Sequence, residues 1–440
     1  MKKRFLALLL VLTMVFSLMP AALAADTLSG SGTEDDPYLL ATAADLKAFR
    51  DMANAEASSK LCATLTADID LGGEAWTPFE GPTLGGAYAG TFDGANHTIK
   101  GLSVNSTSSK GVGLFGTVCG ATIKNLKVEG NVSASNSFFV GGIVGRTQTS
   151  ATIDSCSFAG TVTSTKKSGA SNATAGIVGK VNKGPVTITN CANTATVNGN
   201  GNIAAGILGY GGSNKVTIEN CYNTGAISGQ WYASGICGSS TIKEQTSSIR
   251  NCYNSGTITA TNGGNYYAGI TANFKGTISN SYYANPAADA LYNGTPATAI
   301  AITSPDGLAD KLGSAFKEDT AGANKGYPIL VWQAGEVVQP DPRIELTGPD
   351  TLWRTANEPQ PQATIAAACK DMDKDTHVDW TLTEGEGIVT LETPEGAANQ
   401  SVIVKATADG AGKAVITASA ANGITASLTI YVIPQITTVE

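Results

Sequence analysis

Residues 205–225 read AGILGYGGSNKVTIENCYNTG, and two phrases within them decide the fold. The first, Gly206-Ile207-Leu208-Gly209, returns as Gly113-Leu114-Phe115-Gly116, Gly142-Ile143-Val144-Gly145, Gly176-Ile177-Val178-Gly179 and Gly235-Ile236-Cys237-Gly238. The second, Ile218-Glu219-Asn220-Cys221, returns as Ile153-Asp154-Ser155-Cys156, Ile188-Thr189-Asn190-Cys191 and Ile249-Arg250-Asn251-Cys252. It begins without the cysteine at Ile123-Lys124-Asn125-Leu126 and fades at Ile278-Ser279-Asn280-Ser281. The cysteines stand 35, 30 and 31 residues apart, a period that belongs to solenoids and arrays. Each unit holds three short apolar stretches, Ala205–Leu208, Val216–Ile218 and Ala226–Ser228 in the one quoted. One strand for each stretch makes a turn of a parallel β-helix with three sheets, and parallel crossovers make the right-handed sense the expected one. With 51 Gly and abundant Ser, Thr, Val and Ile, the composition excludes a helical bundle.

Within a turn, alternation places Ile218 inward and Glu219 outward. Asparagine follows at a bend because it tolerates the left-handed backbone a sharp corner needs. Asn125, Asn190, Asn220, Asn251 and Asn280 then form an amide ladder, with Ser155 as the exception. Cysteine turns back into the core, and Tyr222, Tyr253 and Tyr282 form a structural column beside it. We read Cys156, Cys191, Cys221 and Cys252 as a buried free-thiol ladder, since Cys packs as a small hydrophobe. Disulfides between neighbouring turns are the alternative, because strands ~4.8 Å apart come just within disulfide reach.

The ends differ from the repeats. Lys2, Lys3 and Arg4, the apolar run Phe5–Met19 and Ala22-Leu23-Ala24 read as a cleaved signal peptide over 1–25. Thr42 N-caps a helix over 43–55 with Asp45 at its third position, and Leu46, Phe49 and Ala53 share one face. This helix is expected to cap the first turn. A second helix is expected at 305–315, N-capped by Ser304 with Pro305 first, followed by a strand over Gly326–Trp332. Both belong to the C-terminal closure of a domain spanning 26–338. Gln339-Pro-Asp-Pro342 is a stiff linker, and 343–440 changes texture to about seven alternating runs, as in a β-sandwich. No sorting motif or hydrophobic tail is recognised near the C-terminus, so attachment to a cell is not expected to run through one.

GSGTEDDPYLLATAADLKAF, GTFDGANHTIKGL and the repeat quoted above, closed by SNSYYANP and GYPILVW, resemble the GLUG-motif β-helix domains of exported proteins from Gram-positive, often anaerobic, bacteria. That resemblance covers about residues 29–333. Residues 343–434, ending GKAVITASAANGITASLTIYV, resemble bacterial Ig-like domains of group 2. The resemblance implies a secreted or cell-surface, adhesin-like protein without assigned catalysis. Some GLUG-bearing proteins are IgA-cleaving metallopeptidases, but His97 and His377 are the only histidines and cannot supply the paired helical ligands zinc needs.

The chemistry-bearing residues are sparse. Between 111 and 283 the acids are Glu129, Asp154, Glu219 and Glu244. Asp154 and Glu219 fall two turns apart in one column, ~9.6 Å, near the separation of an inverting glycosidase pair. That column reads Lys124, Asp154, Thr189, Glu219, Arg250, Ser279, which suits solvated cross-strand ion pairs better. A carbohydrate-active β-helix enzyme, lyase or hydrolase, is therefore the alternative, and the expectation is no enzyme, no metal and no cofactor. Phe92-Asp93-Gly94 reads as a turn, and Asp371-Met-Asp-Lys-Asp375 as a solvated loop lacking the Gly and distal Glu of a calcium loop.

Aromatic pairs are the best binding candidates: Phe138-Phe139, Trp231-Tyr232 and Tyr266-Tyr267, each just before a Gly-Ile phrase in what reads as a loop between turns. Of 28 basic and 36 acidic residues, the signal carries three basic ones, leaving a mature net charge of −11. This argues against nucleic acid and favours a neutral glycan or a basic patch on a surface protein. A monomer is expected, with no membrane span in the mature chain, as is an accessory role in a larger assembly if the sandwich itself binds.

Overall fold

The computed structural model describes residues 28–434 apart from 84–86, 167–171, 201–202, 241–246, 262–265, 285–298, 335–342, 356–357, 371–375, 394–398 and 422. The expected signal peptide, the linker and the Asp371–Asp375 run therefore lie outside the described residues. The chain divides into two compact units, Met1–Val338 and Gln339–Glu440.

The first unit is an all-β solenoid of parallel strands. Register follows the repeat: Ile153 pairs with Ile123 and Ile188, Ile218 with Ile188 and Ile249, and Ile249 with Ile278. Each turn is built of more pieces than the sequence pattern shows. In the turn quoted above they are Ile203–Ala205, Leu208–Gly212, Val216–Glu219, Tyr222–Asn223 and Ile227–Gly229. The last three belong to one main sheet, while the first two belong to separate second and third sheets. The stretch Ala205–Leu208 is thus two strands meeting at a corner. Gly206 makes that corner possible: a Cβ there would stand 2.2 Å from the Gly235 oxygen and 2.6 Å from Asn223 Cβ.

At the opposite corner the expected column holds a left-handed backbone, with φ from +43° to +53° at Asn125, Ser155, Asn190, Asn220, Asn251 and Asn280. The amides run up the solenoid as a ladder: Asn280 Nδ2 donates to Asn251 Oδ1 at 2.8 Å, Asn251 to Asn220 at 3.1 Å, and Asn220 to Asn190 at 3.1 Å. A second ladder, not read from the sequence, stands three residues on. Asn193 Nδ2 donates to Asn223 Oδ1 and Asn223 Nδ2 to Asn254 Oδ1, both at 2.7 Å, and all three side chains are wholly buried.

Cys156, Cys191, Cys221 and Cys252 are completely buried free thiols, and the other four cysteines are also free. The ladder thiols donate to carbonyls two residues back, such as Cys221 Sγ to Glu219 O at 3.1 Å. Burial pushes the thiols of Cys191, Cys221 and Cys252 well above their ordinary 9.0. At the N-terminal end the helix Ala43–Ala55 covers the first turn. Thr42 accepts from the Asp45 amide at 3.2 Å, and the Asp45 carboxylate accepts from the Thr42 amide at 2.9 Å. Phe49 packs beneath it into an aromatic core of Phe79, Tyr88 and Phe92.

The C-terminal segment departs from expectation in form. The helix is only Leu308–Leu312; Ser304 caps a tight turn by accepting from the Asp306 amide, and Gly307 takes the N-cap position in left-handed backbone. The apolar stripe survives, with Leu308, Leu312 and Ala315 buried. The strand within 326–332 is reduced to Ile329–Leu330, paired with Phe316–Lys317, and Val331–Ala334 is a 3₁₀ turn. The segment folds back as a lateral strap over the tyrosine column and also meets the last turn, where Asn280 Nδ2 donates to the Lys311 carbonyl at 2.7 Å. Tyr222 donates to Gln333 at 2.8 Å, Tyr253 to the Pro328 carbonyl, and Trp332 Nε1 to the Asn190 carbonyl at 2.9 Å. Ala299–Ala301 supplies the last parallel strand, on Ser281–Tyr283.

The second unit has two four-stranded sheets. Ile365, Val402 and Val404 from one sheet and Ile416, Ile430 and Val432 from the other share one buried core, which makes it a sandwich.

Two outcomes follow. Asn223→Ala removes one of the two partners of the Asn193 amide, which keeps the Ala195 carbonyl, and of the Asn254 side-chain oxygen, which keeps the Gly256 amide. It should lower stability by roughly 1–3 kcal/mol in urea unfolding followed by circular dichroism; a loss below ~0.5 kcal/mol would show that the inner ladder is not a stabilising network. Buried thiols and the buried Tyr253 phenol are neutral in the fold and ionise more easily once unfolded. Their stabilisation is complete below pH ~9 and is lost as pH rises further. The melting temperature should be flat from about pH 6 to 8 and fall above about pH 9, with the ladder thiols inert to a thiol reagent until that transition.

Candidate functional site

Sheet register sorts the candidate aromatics. Phe139, Ala173, Ile203, Tyr232 and Tyr266 stand in one column of the second sheet, in strands and not in loops. The strand lies N-terminal to the Gly-Ile corner and takes these rings into it. The side chain of Tyr266 lies outside the described residues. Tyr267 aligns with the buried Ala233 and, half-buried, packs against the solenoid core. Phe138 and Trp231 precede their strands. Phe138 is half-buried with its ring centroid 6.1 Å from that of Phe139, and Trp231 is 43% exposed. The structure thus brings Phe138 with Phe139, and Trp231 with Tyr232, three turns or ~14 Å apart along the column.

Facing this column is one that sequence reading missed. In the third sheet Thr117, Arg146, Lys180, Tyr210, Ser239 and Asn273 are successive partners. The two columns approach because the second glycine of each phrase carries no side chain: a Cβ at Gly209 would stand 2.9 Å from Ala173 Cβ, and one at Gly238 2.2 Å from Ile203 Cγ2. Lys180 Nζ lies 4.3 Å from the Phe139 ring centroid and 5.3 Å from that of Tyr210, and the Arg146 guanidinium 5.7 Å from Phe139. Lys166 Nζ sits 3.6 Å above Phe138 while donating to the Asn136 carbonyl and side chain.

Arg146 is 8% exposed, and its Nε and Nη2 are buried without a hydrogen-bond partner. Among the described residues no carboxylate pairs with Arg146, Lys166 or Lys180. Burial draws the Arg146 pKa down; burial first, and Arg146 second, draw that of Lys180 down. The signal was present in the sequence: Arg146, Lys180 and Tyr210 each follow the second glycine of their phrase, in a region with few acids.

The column weighed for catalysis is as read, Lys124-Asp154-Thr189-Glu219-Arg250-Ser279. Both carboxylates are engaged. Glu219 is paired with Arg250. Asp154 Oδ1 accepts from Thr189 Oγ1 at 2.5 Å and Asn190 Nδ2 at 2.8 Å. Phe92 and Asp93, read as a turn, instead end the short strand Thr91–Asp93, and Asp93 closes the turn after it by accepting from the Ala95 amide at 2.8 Å, while also accepting from Asn125 Nδ2 at 3.0 Å. No group of three or more His, Cys, Asp or Glu among the described residues could hold a metal ion.

A family model described as the GLUG motif matches residues 139–163, which contain Phe139 and Arg146. Over 162 residues, 34% of this chain, the sequence is 33% identical to Halomucin of Haloquadratum walsbyi. Over 130 residues, 29% of the chain, it is 28% identical to a "Putative Gly-rich membrane protein" of Evansella cellulosilytica. The matched part spans 2% of the first relative and 15% of the second. The crystal structure of a "putative immunoglobulin A1 protease" from Bacteroides ovatus superposes with a TM-score of 0.52 at 23% identity, covering 69% of this chain and 94% of that one. That likeness shows a common fold. No helix among the described residues is long and apolar enough to cross a membrane.

An unpaired buried cation beside a second cation is destabilising. Arg146→Met keeps the volume and removes the charge, and should raise stability by about 1 kcal/mol or more, read as a higher melting temperature in scanning calorimetry. A lower one would show that contacts of the guanidinium outweigh its desolvation.

Proposed function

We propose that this is a secreted, cell-surface GLUG protein whose solenoid serves as a rigid stalk with an adhesive face for glycans or surface partners, and that it is not an enzyme. In this reading the helix is right-handed and the second unit is a bacterial Ig-like sandwich. The carrying observation is the division of labour among the columns. The corner asparagines, cysteines and tyrosines are consumed in holding the turns together, whereas Phe139, Lys180, Tyr210 and Tyr232 of the second and third sheets are only partly buried, beside the exposed Trp231. The engagement of Asp154 and Glu219 within the main sheet supports a structural role for the residues that would otherwise suit hydrolysis. The GLUG match and a relative named as a membrane protein support a surface location.

Screening the full chain on a glycan and mucin array beside Trp231→Ala tests this. Because Trp231 is exposed, its loss should change stability by no more than ~0.5 kcal/mol, while binding to the recognised glycan falls. Equal binding by both proteins removes Trp231 from the site. Incubation with pectins and mucins should release no products. Release abolished by Asp154→Ala or Glu219→Ala would replace this reading with that of a carbohydrate-active enzyme.

A further inference from the structure

The charge of the candidate face runs against that of the molecule. The whole chain carries 28 basic and 36 acidic residues, yet Arg146, Lys180 and Lys166 cluster on adjacent turns with no carboxylate paired to them among the described residues. Net charge acts at a distance, but screening confines exposed charges to a range of about 8 Å at physiological salt. A ligand at Lys180 therefore meets the local cations and not the acids elsewhere. Lys180 is half-buried and reachable, while Arg146 stands one turn back and deeper, with two nitrogens unpartnered. Buried cations of this kind call for a countercharge.

A small anion would account for the cations alone. The aromatic column points to something longer: Phe139 and Tyr210 flank the cations, and Tyr232 with the exposed Trp231 continues the same face ~14 Å along. Aromatic faces stack on sugar rings, and cations beside them are suited to sugars that carry an acid group. Resting on the glycan-binding reading above, we propose that Lys180, backed by Arg146 and framed by Phe139 and Tyr210, is a subsite for the carboxylate or sulfate of an acidic polysaccharide lying along the solenoid, with Tyr232 and Trp231 receiving neighbouring sugars. Contact with the anion falls to Lys180, and Arg146 adds positive potential from beneath it.

The test is calorimetric titration of the full chain with four probes: a de-esterified oligogalacturonide, its fully methyl-esterified form, a heparin-derived oligosaccharide, and an aspartate-rich peptide. The expected result is binding of an acidic oligosaccharide at least tenfold tighter than of the methyl ester, weakening steeply with added salt. The two acidic probes distinguish carboxylate from sulfate. Lys180→Gln and Arg146→Gln should each weaken that binding tenfold or more, with circular dichroism unchanged; Lys180→Gln alters a half-exposed side chain and keeps the test valid should Arg146→Gln disturb folding. Equal affinity for acid and ester would overturn the anionic subsite and leave glycan binding standing. Equal binding of the peptide would overturn the sugar specificity. Unchanged binding by Lys180→Gln would place the site elsewhere. Binding of none of the probes would overturn the inference, and the glycan array decides separately whether the broader reading survives.

Discussion

One residue per turn held in left-handed backbone is the constraint on which the solenoid depends. At φ near +50° the chain changes direction within a single residue, so the isoleucine before the corner and the cysteine after it both reach the core. Asparagine bears that conformation at lower strain than most residues, and its amide has a donor for the turn before and an acceptor for the turn after. The ladder thus couples the backbone of each turn to the register of its neighbours. A slip by one residue would break every amide contact at once and carry the inward isoleucines outward.

The exceptions in that column explain the acids near it. Ser155 takes the left-handed backbone but has no amide, so Asn190 donates instead to Asp154, one residue earlier. At the first corner Asn125 likewise donates to Asp93. Both aspartates end a run of amides by supplying the missing acceptor. The position of Asp154, which with Glu219 invites comparison with a catalytic pair, follows from the ladder. The strap extends the same logic sideways. Cysteine turning in forces the next residue out, and where that residue is tyrosine the strap covers the rings and gives their hydroxyls partners at Gln333 and Pro328.

The solenoid, its corner asparagines, its cysteine column and the first helix were legible because each is a period or a capping pattern carried by single residues. Three features were not. Ala205–Leu208 is an unbroken apolar run, and only the lack of room at Gly206 reveals that it turns a corner. Asn193, Asn223 and Asn254 repeat as regularly as the outer ladder, but asparagine after a strand reads as turn text unless its burial is known. The strap has too little periodicity to say which surface it covers. For the site, the aromatic column was legible as residue types and not as geometry. The cations recur in sequence after the second glycine of the phrase, but that they face the aromatic column follows from the close approach of two sheets, which no single-strand pattern encodes.

That approach also bears on where this architecture leaves freedom for function. Core columns accept Ile, Val, Leu or Cys because volume and polarity are fixed by the turns above and below, and the corner accepts Asn or Ser because backbone conformation is fixed. The column Thr117, Arg146, Lys180, Tyr210, Ser239, Asn273, partly exposed at Lys180, Tyr210 and Asn273 and buried at the other three, obeys neither restriction, and its residue types change at every turn. A solenoid spaces such changes ~4.8 Å apart along a straight line. A linear pattern of charge, ring and hydroxyl is therefore set one residue per turn without disturbing the stack. Two cations on successive turns are the least expected members of such a line, since like charges in adjacent strands repel. Their proximity raises the local potential well above what the acidic chain as a whole would suggest, and the repulsion between them is relieved when an anion lies between them and the solvent.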